Sequence, residues 1–200
     1  MTVKLVGSTS GSVSLQAPAS TTGGAHKTLT LPDINSTVDT TGRAGNILQV
    51  KTVTKTDHFT STSAAWVDIT GLSLDMTLSA SSNKILMRYD VIVGGDWWNM
   101  GPVFLSFADG STLIGRSTNG SSDTNNAASF ATLYSDGVGN SSFNVSSQTA
   151  TFLYSPGDTN SHTYKVRGNG QNTSGFSINR SWGTVNYSGQ STFTLIEISA

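Results

Sequence analysis

Two hundred residues, 36% hydrophobic and 12% charged, leave room for one domain of roughly 150 residues and an appendage, but not for two large domains. Eleven Lys and Arg against twelve Asp and Glu give a formal net charge of -1. These charges are scattered, which argues against a nucleic-acid binder or a protein held to an anionic membrane. The absence of cysteine excludes disulfides and thiolate metal sites, so stability must come from packing or from oligomerisation.

The opening segment MTVKLVGSTSGS has no apolar run suited to a signal peptide, and nowhere do about 18 consecutive apolar residues suggest a membrane span. The product is therefore expected to be cytosolic when made. Three short alternating pieces follow one another: Val3 to Val6, Val13 to Gln16, and Thr28 to Leu31. Their apolar side chains, Val3, Leu5, Val13, Leu15, Leu29 and Leu31, are too few to offset the entropy of ordering this segment alone. Either the segment is a disordered Ser/Thr/Gly-rich tail, or its strands are paired by neighbouring copies or by a larger surface on which they dock. The stretch TLTLPDINSTVDTTGRAGNILQV, Thr28 to Val50, is the junction: Pro32 and Asp33 stop a strand, and Gly42 and Gly45 bracket a hinge before apolar extension resumes. The expected organisation is a β-rich stalk or anchoring segment over residues 1–45 and a folded domain over 46–200.

Beyond Asn46 a period of two is sustained. Strands are predicted at Ile47 to Thr54, Trp66 to Ile69, Ser73 to Leu78 and Lys84 to Val93, the last being central. Val103 to Phe107 and Thr112 to Ile114 flank Asp109-Gly110, a strong hairpin signal. Further strands are expected at Ser129 to Tyr134, Phe143 to Tyr154 with an interruption, His162 to Arg167, Gly175 to Ile178 and Ser191 to Ile198. No segment shows 3.6-residue periodicity with caps, and Thr, Val, Ser and aromatic residues outweigh helix formers. The fold class is all-β, an antiparallel sandwich of jelly-roll type, with an up-and-down barrel as the alternative.

Catalytic chemistry finds little support. Glu197, the sole glutamate, sits in an alternating strand and reads as an outward-facing charge. Asp90 and Asp96 flank an expected turn, Val91 to Gly95, and could be nominated for glycoside hydrolysis, but nothing in the sequence pairs them. His26, His58 and His162 stand far apart, without metal-ligand spacing, and read as turn or surface residues. No catalytic, metal or cofactor site is expected. Seven Asn-X-Ser/Thr triplets, Asn179 among them, are what a chain this rich in Asn, Ser and Thr generates by chance.

Aromatic loops are the better clue. Gly94 to Pro102 places Asp96, Trp97, Trp98 and Asn99 in a glycine-bounded loop, and Arg180, Trp182 and Tyr187 form a second aromatic and basic cluster. Flat apolar rings beside hydrogen-bonding groups suit recognition of a sugar or a protein ridge, and equally suit the end of a sandwich or a subunit interface.

The order SLQAPAS, LTLPD, a small-residue linker and GNILQV resembles the N-terminal segments of virion structural proteins from marine bacteriophages, especially those infecting cyanobacteria. FTSTSAAWVDITGL, SASSNKILM, FLSFADGSTLIGRS, TFLYSPGDTNSHTYKV, SINRSW and STFTLIEIS extend the resemblance to their tail-fibre-like domains, over nearly the whole chain. The resemblance implies a homotrimeric fibre, knob or capsid appendage, assembled in the bacterial cytoplasm and exposed on the virion. It would be anchored to other virion proteins through its N-terminal segment and directed at a host-surface glycan or protein. A capsid decoration protein with a purely structural role is the alternative, and a glycan depolymerase a more distant one.

The scarcity of carboxylates predicts that purified protein releases no reducing sugar from bacterial envelopes and is indifferent to chelators. Sugar release abolished by Asp90→Asn or Asp96→Asn would overturn this.

Overall fold

A computed structural model describes residues 2–6, 12–16, 44–95, 103–115, 131–133, 145–170, 175–182 and 188–200. The chain divides into two compact units, Met1–Asp39 and Thr40–Ala200. In the first, β1 (Thr2–Val6) and β2 (Ser12–Gln16) pair antiparallel, Val3 opposite Leu15 and Leu5 opposite Val13. These two strands are thus paired within one chain instead of only by neighbouring copies. The connection between them is short, and closing a short loop costs little entropy. The third expected piece, with Leu29 and Leu31, lies outside the described residues.

The second unit is built from two antiparallel sheets packed face to face. One contains β3 (Ile47–Lys55), β4 (Phe59–Ser61), β6 (Lys84–Gly95), β10 (Val145–Tyr154), β12 (Phe176–Ile178) and β13 (Ser191–Ile198). The other contains β5 (Val67–Thr77), β7 (Val103–Asp109), β8 (Thr112–Ile114), β9 (Ala131–Leu133) and β11 (Ser161–Gly170). Among the described residues there is no helix, and hence none able to cross a membrane.

β6 carries the first sheet. Along one edge it pairs with β10 over residues 85–94, and its other edge is shared end to end by β13, opposite residues 84–90, and β12, opposite residues 93–95. Its inward row, Ile85, Met87, Tyr89, Val91 and Val93, is fully buried, as its period of two predicts. The strand runs on through Val91 to Gly95, so the turn expected between Asp90 and Asp96 is strand instead. β10 and β12 both pair with Gly94 and β12 also pairs with Gly95, and this overrides the weak strand preference of glycine.

From the opposing sheet, Phe107 of β7 enters the centre of the core. Its ring centroid lies 4.8 Å from Tyr89, 6.2 Å from Phe193 and 6.3 Å from Phe152. Tilted and offset rings at such spacings add to the burial of their own large area.

Two local features place the strands. Register sets Asp109 opposite Thr112, so the β7–β8 loop is Gly110-Ser111, one residue later than the Asp-Gly signal suggests. Gly110 has a φ of 57° at the first loop position, as a type II′ turn requires. In β5, Gly71 has a φ of 88°, and between Arg167/Asp68 and Lys165/Ser73 β5 advances five residues while β11 advances two. This irregularity changes which parity faces inward, from Val67 and Ile69 to Leu72, Leu74 and Met76, so the two predicted strands are one bent strand. β4, by contrast, has no counterpart in the sequence reading. Only three residues long, it is defined by pairing with β12.

Phe107→Ala should therefore cost about 3–5 kcal/mol of folding stability, because it empties the space between three rings at once. Urea unfolding followed by tryptophan fluorescence measures it, and a loss below about 1 kcal/mol would contradict the central role given to this ring.

Candidate functional site

Of the residues expected to recognise a partner, Asp96, Trp97, Trp98, Asn99 and Tyr187 lie outside the described residues. Arg180 and Trp182 are both half-buried. What the structure does fix is the ground from which both stretches depart. Gly95 and Gly94, the last described residues before Asp96, pair with Phe176 and Ser177 of β12. A Cβ on Gly94 would lie 2.2 Å from the Arg180 carbonyl oxygen, so only glycine allows the backbone of the 175–182 segment to approach this closely. Ser177 Oγ reinforces the contact by donating to the carbonyls of Arg180 (2.8 Å) and Gly94 (3.2 Å). Two candidate stretches some eighty residues apart in sequence thus begin at one end of one sheet.

Asn179 holds this end in place. It is the one non-glycine residue with positive φ among those described, at 61°, a conformation that Asn tolerates better than most side chains. Its amide donates to the carbonyls of Lys55 (2.8 Å) and Asp57 (3.1 Å), accepts from Ser191 Oγ (2.5 Å), and is fully buried. The Asn179-Arg180-Ser181 triplet therefore offers no glycan an accessible amide.

Glu197 corrects the sequence reading. It is 1% exposed, and its carboxylate accepts from Gln49 Nε2 (2.6 Å), the Ser79 backbone N–H (2.7 Å), Ser79 Oγ (2.8 Å) and Asn83 Nδ2 (2.7 Å). The strand period does alternate here, but the inward side of β13 near its end faces the turn at 79–83, where polar donors replace apolar side chains. Burial pushes the carboxyl pKa up, and the hydrogen bonds from Asn83, Gln49 and Ser79 outweigh that and hold it below its ordinary 4.5. Alongside, Gln49 Nε2 also donates to the Thr77 carbonyl (2.8 Å) and Lys51 Nζ to that of Asp75 (2.7 Å), so side chains of β3 close the free edge of β5.

Asp90 is half-buried on the outer side of β6. It receives two hydrogen bonds from Arg88, Nε at 2.9 Å and Nη2 at 3.0 Å, and one from Thr149 Oγ1 at 2.6 Å. The Arg88 hydrogen bond, ahead of every other influence, lowers its pKa. A carboxyl held ionised in this way is unsuited to donate a proton as a general acid.

The third polar cluster went unread in the sequence. His162 is no simple turn or surface histidine: Nδ1 lies 2.9 Å from both carboxylate oxygens of Asp109, and Nε2 lies 2.9 Å from Asp158 Oδ1. Tyr154 OH donates to Asp109 Oδ2 at 3.2 Å, and the Tyr164 ring stacks on the imidazole at 5.8 Å. Both nitrogens are occupied by carboxylates, so this constellation lacks the hydroxyl that a nucleophilic triad needs at the second nitrogen. The Asp158 to His162 spacing was visible in sequence, but Asp109 arrives only through the β7–β11 pairing, which sets it opposite Tyr164.

The outer face of the first sheet carries an apolar patch that includes three of the four exposed large hydrophobic residues among those described. Cross-strand register aligns Val50, Ile196, Leu86 and Leu153 in one row over β3, β13, β6 and β10, with Ile47 opposite Ile198 beside it. Ile47, Val50 and Leu153 are 64%, 56% and 48% exposed. The neighbouring row, Thr52, Thr194, Arg88 and Thr151, is polar.

A comparison with known protein families returns no match, and none of the curated proteins is similar to the chain.

Glu197→Gln should destabilise the fold by about 1.5–3 kcal/mol, because an amide nitrogen then faces donors that the carboxylate satisfied. The sign with pH follows from the lowered pKa: the ionised form contributes stability above pH 4.5 that is lost as pH falls through the folded value. Acid titration of unfolding should show wild type losing this advantage over the variant, and equal stability at neutral pH would refute it.

Proposed function

We propose that the chain is a bacteriophage virion structural protein: a homotrimeric fibre or knob appendage of jelly-roll type that takes part in host-cell attachment. Its N-terminal segment, with Val3, Leu5, Val13, Leu15, Leu29 and Leu31, serves as a stalk joining it to other virion proteins.

The observation that carries this reading is the row Val50, Ile196, Leu86 and Leu153 with its neighbours Ile47 and Ile198. Four strands about 4.8 Å apart, each contributing several residues at about 3.3 Å, make a flat face of the order of the 800 Å² that one partner gives to a standard interface. Arg88 and Asp90 neutralise one another on that face, and the net charge per chain is only -1, so copies of the chain meet without strong repulsion. Large apolar side chains aligned on a sheet and left in water are the mark of an assembly surface.

Two further observations are consistent with attachment. The order of sequence segments resembles tail-fibre-like proteins, and the stretches containing Asp96 to Asn99 and Arg180 to Tyr187 depart from one end of the sheet and are rich in the rings and polar groups that suit a glycan or protein.

Light scattering at micromolar concentration should give the mass of three chains. Val50→Glu with Leu153→Glu should raise the trimer's dissociation constant by roughly 100-fold or more, since charges are then buried without partners, while circular dichroism stays that of the folded sheet. A wild-type monomer would overturn the homotrimer. A trimer indifferent to both charges would overturn this face as its interface. Antibody labelling of intact particles tests the virion assignment directly.

A further inference from the structure

We propose that Asp109, His162 and Asp158 form a pH-operated latch, which fastens the loop between β10 and β11 to the β7–β8 turn while both imidazole nitrogens carry protons and lets go of Asp158 when one proton leaves for solvent. The cluster lies where the two sheets meet. Tyr154 ends β10 in one sheet, and Asp109 and His162 belong to β7 and β11 in the other. Between Tyr154 and Ser161 the chain crosses from sheet to sheet through Ser155 to Asn160, and the side chain that ties this crossing to His162 is that of Asp158.

The stoichiometry of donors makes the latch sensitive to one proton. An imidazolium has two N–H donors and here meets two carboxylates, at 2.9 Å on each side. A neutral imidazole keeps one donor, and its other nitrogen then turns a lone pair toward a carboxylate. One contact must open. Asp109 is 15% exposed, also accepts from Tyr154 OH, and precedes a turn pinned by the Gly110 N–H to Thr163 carbonyl bond of 2.9 Å. Asp158 is 42% exposed, and beyond His162 it is bonded by the nearby Asn160, whose backbone N–H donates at 2.8 Å. Water can replace His162 at Asp158 far more easily than at Asp109, so Asp158 is released.

The groups that face the ring are Asp109 from β7, Asp158 from the loop, Tyr154 from β10 and Tyr164 on β11 itself. Across β5 its strand partner is Met76, which is uncharged, and Asp75 accepts from Thr163 on the opposite side of the sheet. Burial, followed by the charge of Asp109, raises the pKa of Tyr154, so this hydroxyl remains a donor throughout the histidine titration. The hydrogen bonds of Asp158 and then Asp109 raise the pKa of His162 above 6.5. A raised value means the latch is more than half closed at pH 6.5 and opens as pH rises through the folded value.

Nuclear magnetic resonance of the full chain between about pH 5.5 and 9 tests this, reading the His162 ring and, in parallel, hydrogen exchange of the amides of Ser155 and residues 157–161, corrected for intrinsic pH dependence. The ring is expected to titrate above 6.5. Protection of the loop should fall by roughly 10-fold across the same transition, while amides of β6 hold their protection. His162→Gln should abolish the pH dependence. Should that variant fail to fold, Asp158→Asn serves instead: it keeps the shape, its amide can donate to the neutral ring, and the loop should stay protected at high pH. A ring titrating at or below 6.5, or loop protection that does not change as the ring titrates, overturns the latch.

Discussion

The structure depends on Phe107 standing among Tyr89, Phe152 and Phe193, since this is where the two sheets meet at their middles. The strand that presents Tyr89, β6, has its inward row buried without exception, and its two edges hold β10 on one side and β13 and β12 on the other. Fixing that row to the core also fixes the opposite row to the outside. Leu86 faces away because Ile85 and Met87 face in, and register carries the same choice across to Ile196, Val50 and Leu153. The exposed apolar row is therefore a consequence of the pairing that builds the core.

Polar groups do the work at the margins that rings do at the centre. At one margin Glu197, Asn83, Ser79 and Gln49 satisfy one another where the sheets separate, and Lys51 and Gln49 cap carbonyls of β5. Elsewhere Asp109, His162 and Asp158 hold the crossing between β10 and β11. Both clusters are satisfied by hydrogen bonds to ionised groups, the arrangement in which a charge out of water is tolerated.

What could be read from sequence was what local periodicity controls. The all-β class, the centrality of Lys84 to Val93 and the hairpin around Gly110 follow from alternation and turn chemistry, and the structure has them. Misreadings share a cause: they concern residues whose partners are distant in sequence. Val91 to Gly95 ends in two glycines, and only pairing with β10 and β12 makes it strand. Glu197 meets donors more than a hundred residues away, and His162 meets Asp109 across 53 positions. Gly71 interrupts the parity of β5, so its sequence reads as two strands although the chain continues as one. Of the candidate recognition residues, only Arg180 and Trp182 fall where their surroundings can be described.

The contact between Gly94 and the Arg180 carbonyl bears on how this protein could be re-engineered. A position where any Cβ would meet a backbone oxygen at 2.2 Å admits no second residue type, and Asn179 beside it is bound on every polar atom of its amide. Gly94 is paired on both edges, and Gly95, paired with Phe176, is where described β6 ends. The chain thus offers a rigid mount at this end, and sequence inserted after it inherits a fixed anchor without drawing on the aromatic core. Such a mount suits loop grafting, in which new binding segments are exchanged after Gly95 while the sandwich beneath is left as it is.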